Sequence, residues 1–204
     1  MAPVDFLDEW DRLAATLDLD PAIGRDLERR HREPQRHYHS VEHVEAVIGH
    51  LDSLGARTPV TVLAAFFHDA IYDPTRADNE ERSADLAAES LAGTLGVDDV
   101  VAIVRATSGH QLPHDAPAGC AAFLDADLAI LGSEQATYDW YADAITAEYA
   151  HVPAPEFRQR RAMVMTGFLD RPRLYFTEAG RDRWETRARH NLVREIERLT
   201  ATSR

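Results

Sequence analysis

Residues 59–70 read Pro59-Val60-Thr61-Val62-Leu63-Ala64-Ala65-Phe66-Phe67-His68-Asp69-Ala70. Thr58 ahead of Pro59 is a helix start: a capping side chain followed by proline at the first helical position. The run from Val60 to Phe67 is apolar on every side, so it is expected to pass through an interior. Toward the N-terminus, Phe6, Trp10, Leu13 and Leu17 recur at helical spacing and predict a first amphipathic helix. Asp20-Pro21 caps a second, which has to stop before Pro34. Ser40 caps a third carrying Val44, Val47, Ile48, Leu51 and Leu54, with Gly55 just past its end. Beyond Ala70 come an acidic loop (71–80) and predicted helices over 80–95, ended by Gly96, and over 98–107. Further helices are expected over 119–131, 133–151, 155–169 and 178–200, the last burying Trp184, Ala188, Leu192, Ile196 and Leu199. The turn-rich stretch 109–119 is too short to separate domains. No alternating strand pattern and no repeat interrupts this series. The expectation is all-α: a single compact multi-helix domain over 1–204, its core at about 20–132, with N- and C-terminal helices packing on it.

A length of 204 residues, 45% hydrophobic and 28% charged, belongs to an ordinary globular chain. It excludes disordered, collagen-like and disulfide-scaffold classes. The longest apolar run, 60–67, is far too short to cross a bilayer. The acidic, amphipathic N-terminus lacks a basic region ahead of an apolar one, so no secretory signal is expected. A single cysteine, Cys120, flanked by Gly119, Ala121 and Ala122, fits a small buried residue in a cytoplasmic protein.

All 22 positive residues are arginine, against 35 acids, for a net charge of −13. Without lysine, the chain can have no Schiff-base, phosphate-loop or Ser-Lys chemistry. Its acidity argues against non-specific binding to nucleic acid or to an anionic membrane. Twelve arginines but only six acids lie from Arg158 onward. Intramolecular complementarity and solvated helix faces account for that more simply than an anion site.

The chemistry centres on His68-Asp69. An ionisable doublet beside Ala64, Phe66 and Phe67 is expensive to bury unless something compensates. A divalent cation compensates well at the negative end of a helix, and imidazole with carboxylate is its usual donor set. His43 precedes the apolar Val44 and lies four positions before Val47, so it can point inward. Asp125 and Asp127 stand inside the apolar run 123–131, where acids are seldom idle. One of them capping a helix or pairing with a buried arginine is the plainer alternative.

The order His43, His68-Asp69, Asp127 resembles the HD-domain superfamily of metal-dependent phosphohydrolases. It is most similar to a branch of small bacterial proteins described as predicted HD phosphohydrolases. The landmarks are Arg36-His37-Tyr38-His39-Ser40-Val41-Glu42-His43, Phe67-His68-Asp69-Ala70-Ile71-Tyr72-Asp73, Asp78-Asn79-Glu80-Glu81-Arg82-Ser83-Ala84 and Leu124-Asp125-Ala126-Asp127-Leu128-Ala129-Ile130-Leu131-Gly132. Glu185-Thr186-Arg187-Ala188-Arg189-His190-Asn191-Leu192 extends the likeness to roughly residues 6–200; Arg160, where the pattern has Gly before Arg161, departs from it. The resemblance implies an HD-like helical fold and a metal held by His43, His68, Asp69 and Asp127. It also implies hydrolysis of a phosphate ester or anhydride in a small metabolite, with nucleotides the leading class. Mixed N/O ligation suits one divalent ion, Mn²⁺ first, then Fe²⁺, Co²⁺ or Ni²⁺, with Zn²⁺ and Mg²⁺ also within the range of such donors.

Glu80 and Asp73 are the candidate bases for water, Glu80 ahead. Their plainer readings are a favourable charge in a helix's first turn and a turn before Pro74. His110 is a candidate proton donor to a leaving oxygen, or a phosphate ligand. Arg36 and His39 are candidate phosphate contacts, with ordinary exposed polar residues as the alternative. His31, His37, His50, His114, His151 and His190 are read as structural or exposed.

Three other readings compete. His39-Ser40-Val41-Glu42-His43 spells H-x-x-E-H, an inverted zinc-peptidase motif, but a capping Ser40 leaves His39 outside the helix. A dinuclear iron oxygenase, a route some HD-domain proteins take, needs further histidines, and His110 and His114 are separated by Pro113. The third reading is a nucleotide-binding regulator with a silent site. The expected partner is a small phosphorylated substrate and not a membrane, and a homo-oligomer is compatible with the sequence.

Overall fold

A computed structural model describes residues 4–201, and the fold is all-α, with no strand among these residues. Contacts divide the chain into two compact units, one ending at Ala126 and the other beginning at Asp127. Among the described residues, no helix is long and apolar enough to cross a membrane.

In the first unit, α1 (Phe6–Leu17) starts at Asp5, whose carboxylate accepts from the Asp8 amide. It buries Phe6, Trp10 and Leu13, as the spacing predicts. Asp20 caps α2 (Pro21–His31) by accepting from the Ala22 amide, and the helix ends before Pro34. The two helices meet where a Cβ on Gly24 would stand 2.2 Å from Trp10 Cδ1, so only glycine fits there. At the start of α3 (Val41–Ser53), Ser40 does not cap as expected. Its hydroxyl donates to the Glu42 carboxylate at 2.6 Å instead of accepting from a helix amide.

Helix α4 (Pro59–Phe67) begins with a reciprocal capping box between Thr58 and Thr61, and Thr61 through Phe67 are all buried. It touches α3, α5 (Asn79–Ser90) and α6 (Val97–Ala106), the central place expected of an all-apolar helix. Phe66 stands perpendicular to Phe6 and to Trp10 in T-shaped pairs, with centroids 4.8 and 5.1 Å apart. Helix α5 stops earlier than its small-residue pattern predicts, because Gly93 already takes a left-handed φ of 85°. Helix α7 (Cys120–Asp127) opens on a buried Cys120. Burial pushes its thiol up to about 11, making it a packing group and not a nucleophile.

In the second unit, the helix expected over 119–131 tightens after Asp127 into a 3-10 segment, Leu128–Gly132. There follow α8 (Gln135–Glu148), α9 (Ala154–Leu169) and the short α10 (Glu178–Gly180). A π turn, Arg181–Glu185, leads into α11 (Thr186–Ala201). Thus the predicted helix over 178–200 is one helical run containing a wider turn. Its buried stripe also differs: Asn191 and Glu195 are buried and Ile196 only partly so. Polar side chains tolerate this because each is paired. Asn191 donates to the Leu131 and Ser133 carbonyls, and Glu195 accepts from Tyr138 and from Arg161 at 3.0 Å.

Candidate metal centre

His43 lies on the buried face of α3 with Val44 and Val47, 5% exposed. His68 follows α4 directly, and its amide still donates to the Ala64 carbonyl at 2.9 Å. Its Nδ1 is 2.9 Å from the Ala65 carbonyl; the tautomer satisfying that contact carries the proton on Nδ1 and a lone pair on Nε2. The two Nε2 atoms face each other at 3.0 Å. Asp69 Oδ2 lies 3.1 Å from His68 Nε2 and 3.6 Å from His43 Nε2.

That triangle fits a metal. Donors about 2.1 Å from one ion and at right angles about it are roughly 3.0 Å apart. Among the described residues, this is the only group of three or more His, Cys, Asp or Glu donors close enough to share an ion. Burial alone would raise the Asp69 carboxyl; His68, then His39 and His43, in their protonated forms overcome this and hold it well below the usual carboxylate range. The set is two imidazoles and one anionic carboxylate, with no sulfur.

The loop after the doublet is fixed through its carbonyls. Arg36 donates to the carbonyls of Asp69 at 2.6 Å and Ala70 at 3.1 Å. Ser83, fully buried on α5, accepts from the Ile71 amide at 3.0 Å and donates to its carbonyl. Gln35 reaches the Tyr72 carbonyl, and Asn79 brackets the amide and carbonyl of Asp73. Each carbonyl from residue 69 to residue 73 thereby accepts a side-chain hydrogen bond.

Arg36, expected at a phosphate, makes four hydrogen bonds inside the fold, to Glu33 and the carbonyls of His39, Asp69 and Ala70. Its geometry is that of a positioning residue. His39 lies outside α3 and is stacked on Tyr72 at 4.4 Å, with its ring 5.9 Å from His43. Glu42 is exposed and engaged by Ser40, which leaves the H-x-x-E-H residues without the geometry of a metal site and its base. One Asp73 oxygen accepts from the Thr75 amide and hydroxyl, the turn anticipated before Pro74. Glu80 sits in the first turn of α5, half-buried, with no hydrogen bond or ion pair from its carboxylate among the described residues. His110 occupies the loop after α6 with a left-handed φ of 46°. Asp127 is the last residue of α7 and 9% exposed; it is not one of the three mutually close donors.

Sequence reasoning assigns no role to Gln35, Asn79 and Ser83. The signal for Asn79 and Ser83 is their place in the stretch 78–84 that carries the family resemblance, and for Gln35 only its position beside Arg36. Compared with protein-family models, curated proteins and solved structures, the chain matches none.

Proposed function

We propose that this chain is a metal-dependent phosphohydrolase of the HD-domain type, acting on a phosphate ester or anhydride of a small metabolite, with nucleotides the first class to try. The observation that carries the reading is the convergence of His43 Nε2, His68 Nε2 and Asp69 Oδ2 within 3.6 Å of one another. Asp127 is the proposed fourth ligand. Phe123 presents its ring to His68, with centroids 5.6 Å apart, and Asp127 follows it by one helical turn on the same face of α7.

A bound divalent ion, Mn²⁺ first, supplies Lewis acidity toward a phosphoryl oxygen and toward water. The chain's own part is positional and acid–base. The Ala65 carbonyl holds the His68 ring, and Arg36 fixes the backbone of Asp69, so neither donor has to be ordered during the reaction. Glu80 is the proposed acceptor of the water proton, since no neighbour competes for its carboxylate. His110 is the proposed donor to the leaving oxygen, and His39, held against Tyr72, a contact for the phosphate.

The test is hydrolysis of an aryl phosphate and a nucleotide panel by protein treated with chelator and then reconstituted. Loss of activity on chelation and recovery with Mn²⁺ is expected. Two irons per chain would point to the oxygenase reading, and nucleotide binding without turnover to the regulator.

A further inference from the structure

Helix α9 has 16 residues, yet Met165 is the only one fully buried. Met163 and Val164 are 68% and 52% exposed. An open groove of about 790 Å³ runs along α9 and α11 within the second unit, its apolar floor including Ala162, Met163, Ile196 and Leu199. Pro155, Gln159, Ala162, Thr166 and Asp170 follow three- and four-residue spacing and so share one stripe of α9. A Cβ added to Gly167 would meet nothing within 4 Å, so a second helix can approach its backbone.

Two charges mark the ends of this groove. Arg158 is near the start of α9 and Asp170 immediately follows its end, both lining the groove and about 18 Å apart along the helix axis. Neither side chain makes a hydrogen bond or ion pair among the described residues, and Arg158 Nε is shielded from solvent without a partner. An unpaired cation half-way into an apolar groove is costly unless an anion reaches it on assembly. The face carries that anion at its opposite end, so it is complementary to itself when inverted. Antiparallel pairing about a two-fold axis brings each Arg158 toward Asp170 of the other copy, and buries both apolar floors. A membrane surface would gain nothing from Asp170, and a net charge of −13 opposes an anionic one.

We infer that the α9–α11 groove is the interface of a symmetric homodimer, with α9 of one copy antiparallel to α9 of a second. Sedimentation velocity across a concentration series tests this on the full chain. Wild type should dimerise reversibly. Arg158→Asp and Asp170→Arg should each weaken the dimer by about tenfold or more, because a two-fold interface meets each reversal twice. The doubly reversed variant should regain most of the lost affinity, and Met163→Glu should be monomeric. Circular dichroism checks that each variant keeps wild-type helicity. A monomeric wild type, or a dimer that both reversals leave unchanged, overturns the proposal. So does a monomer that co-sediments with phosphatidylcholine vesicles, which would give the groove to a lipid surface.

Discussion

His31 is 1% exposed at the end of α2, with Nδ1 2.9 Å from the Leu27 carbonyl and Nε2 without a partner. Burial, and then the Arg36 charge, lower its pKa from 6.5 to about 3. The unfolded chain therefore takes up a proton near pH 6.5 that the folded protein refuses until about pH 3. Stability falls as pH drops through that window, by about 1.4 kcal/mol per pH unit. His31→Phe, beside Phe6 at 5.7 Å, removes this dependence. Between pH 6.5 and 5 its Tm should fall less than that of wild type; parallel curves would contradict the assignment. The two acids of α7 separate in the same manner. Asp125 and Asp127 differ by about 200° around a helix, so one ion cannot face both. Asp127→Ala should remove most of the metal affinity. Asp125→Ala, at a position 1% exposed, should cost about 1–3 kcal/mol of stability and leave metal content intact. Metal analysis and urea unfolding of the two variants decide between them, and the reverse pattern would move the ligand by two residues.

The loop between α4 and α5 owes its shape to side chains from elsewhere in the first unit, chiefly Arg36 and Ser83. Arg36→Met keeps the bulk and deletes the donors to three carbonyls. It should destabilise by at least about 2 kcal/mol in urea unfolding and weaken Mn²⁺ binding without removing a ligand. Unchanged metal affinity would mean the doublet needs no such support. This role is not legible in the sequence, because a guanidinium suits a phosphate and a backbone carbonyl equally well. The doublet itself is legible: an apolar run ending in His-Asp leaves few ways to satisfy two buried polar groups. Helix starts at Asp20 and Thr58 are legible because each rests on local cap chemistry. The 3-10 segment after Asp127 and the π turn at Arg181–Glu185 are not, since a change of half a residue per turn over five residues leaves no trace in apolar periodicity. The polar stripe on α11 escapes notice because burial of Asn191 and Glu195 depends on partners distant in sequence, at Leu131 and Arg161.

The net charge of −13 is unevenly divided: ten arginines against 23 acids up to Ala126, and twelve of each from Asp127 onward. The first unit, which holds the three converging donors, therefore carries all of the excess. Self-repulsion of that size is screened by salt, so raising NaCl from about 20 to about 300 mM should raise the Tm. A flat or falling Tm would show the acids to be locally neutralised. A negative field also favours a divalent cation over a free polyanion, in keeping with the proposed metal centre. The decisive test is equilibrium dialysis of wild type and His68→Ala against Mn²⁺, with helicity checked in parallel. One ion per chain in wild type, and almost none in a His68→Ala protein of unchanged helicity, is the predicted result. Full occupancy in His68→Ala, or no Mn²⁺ bound by wild type, would contradict a metal centre built on the doublet.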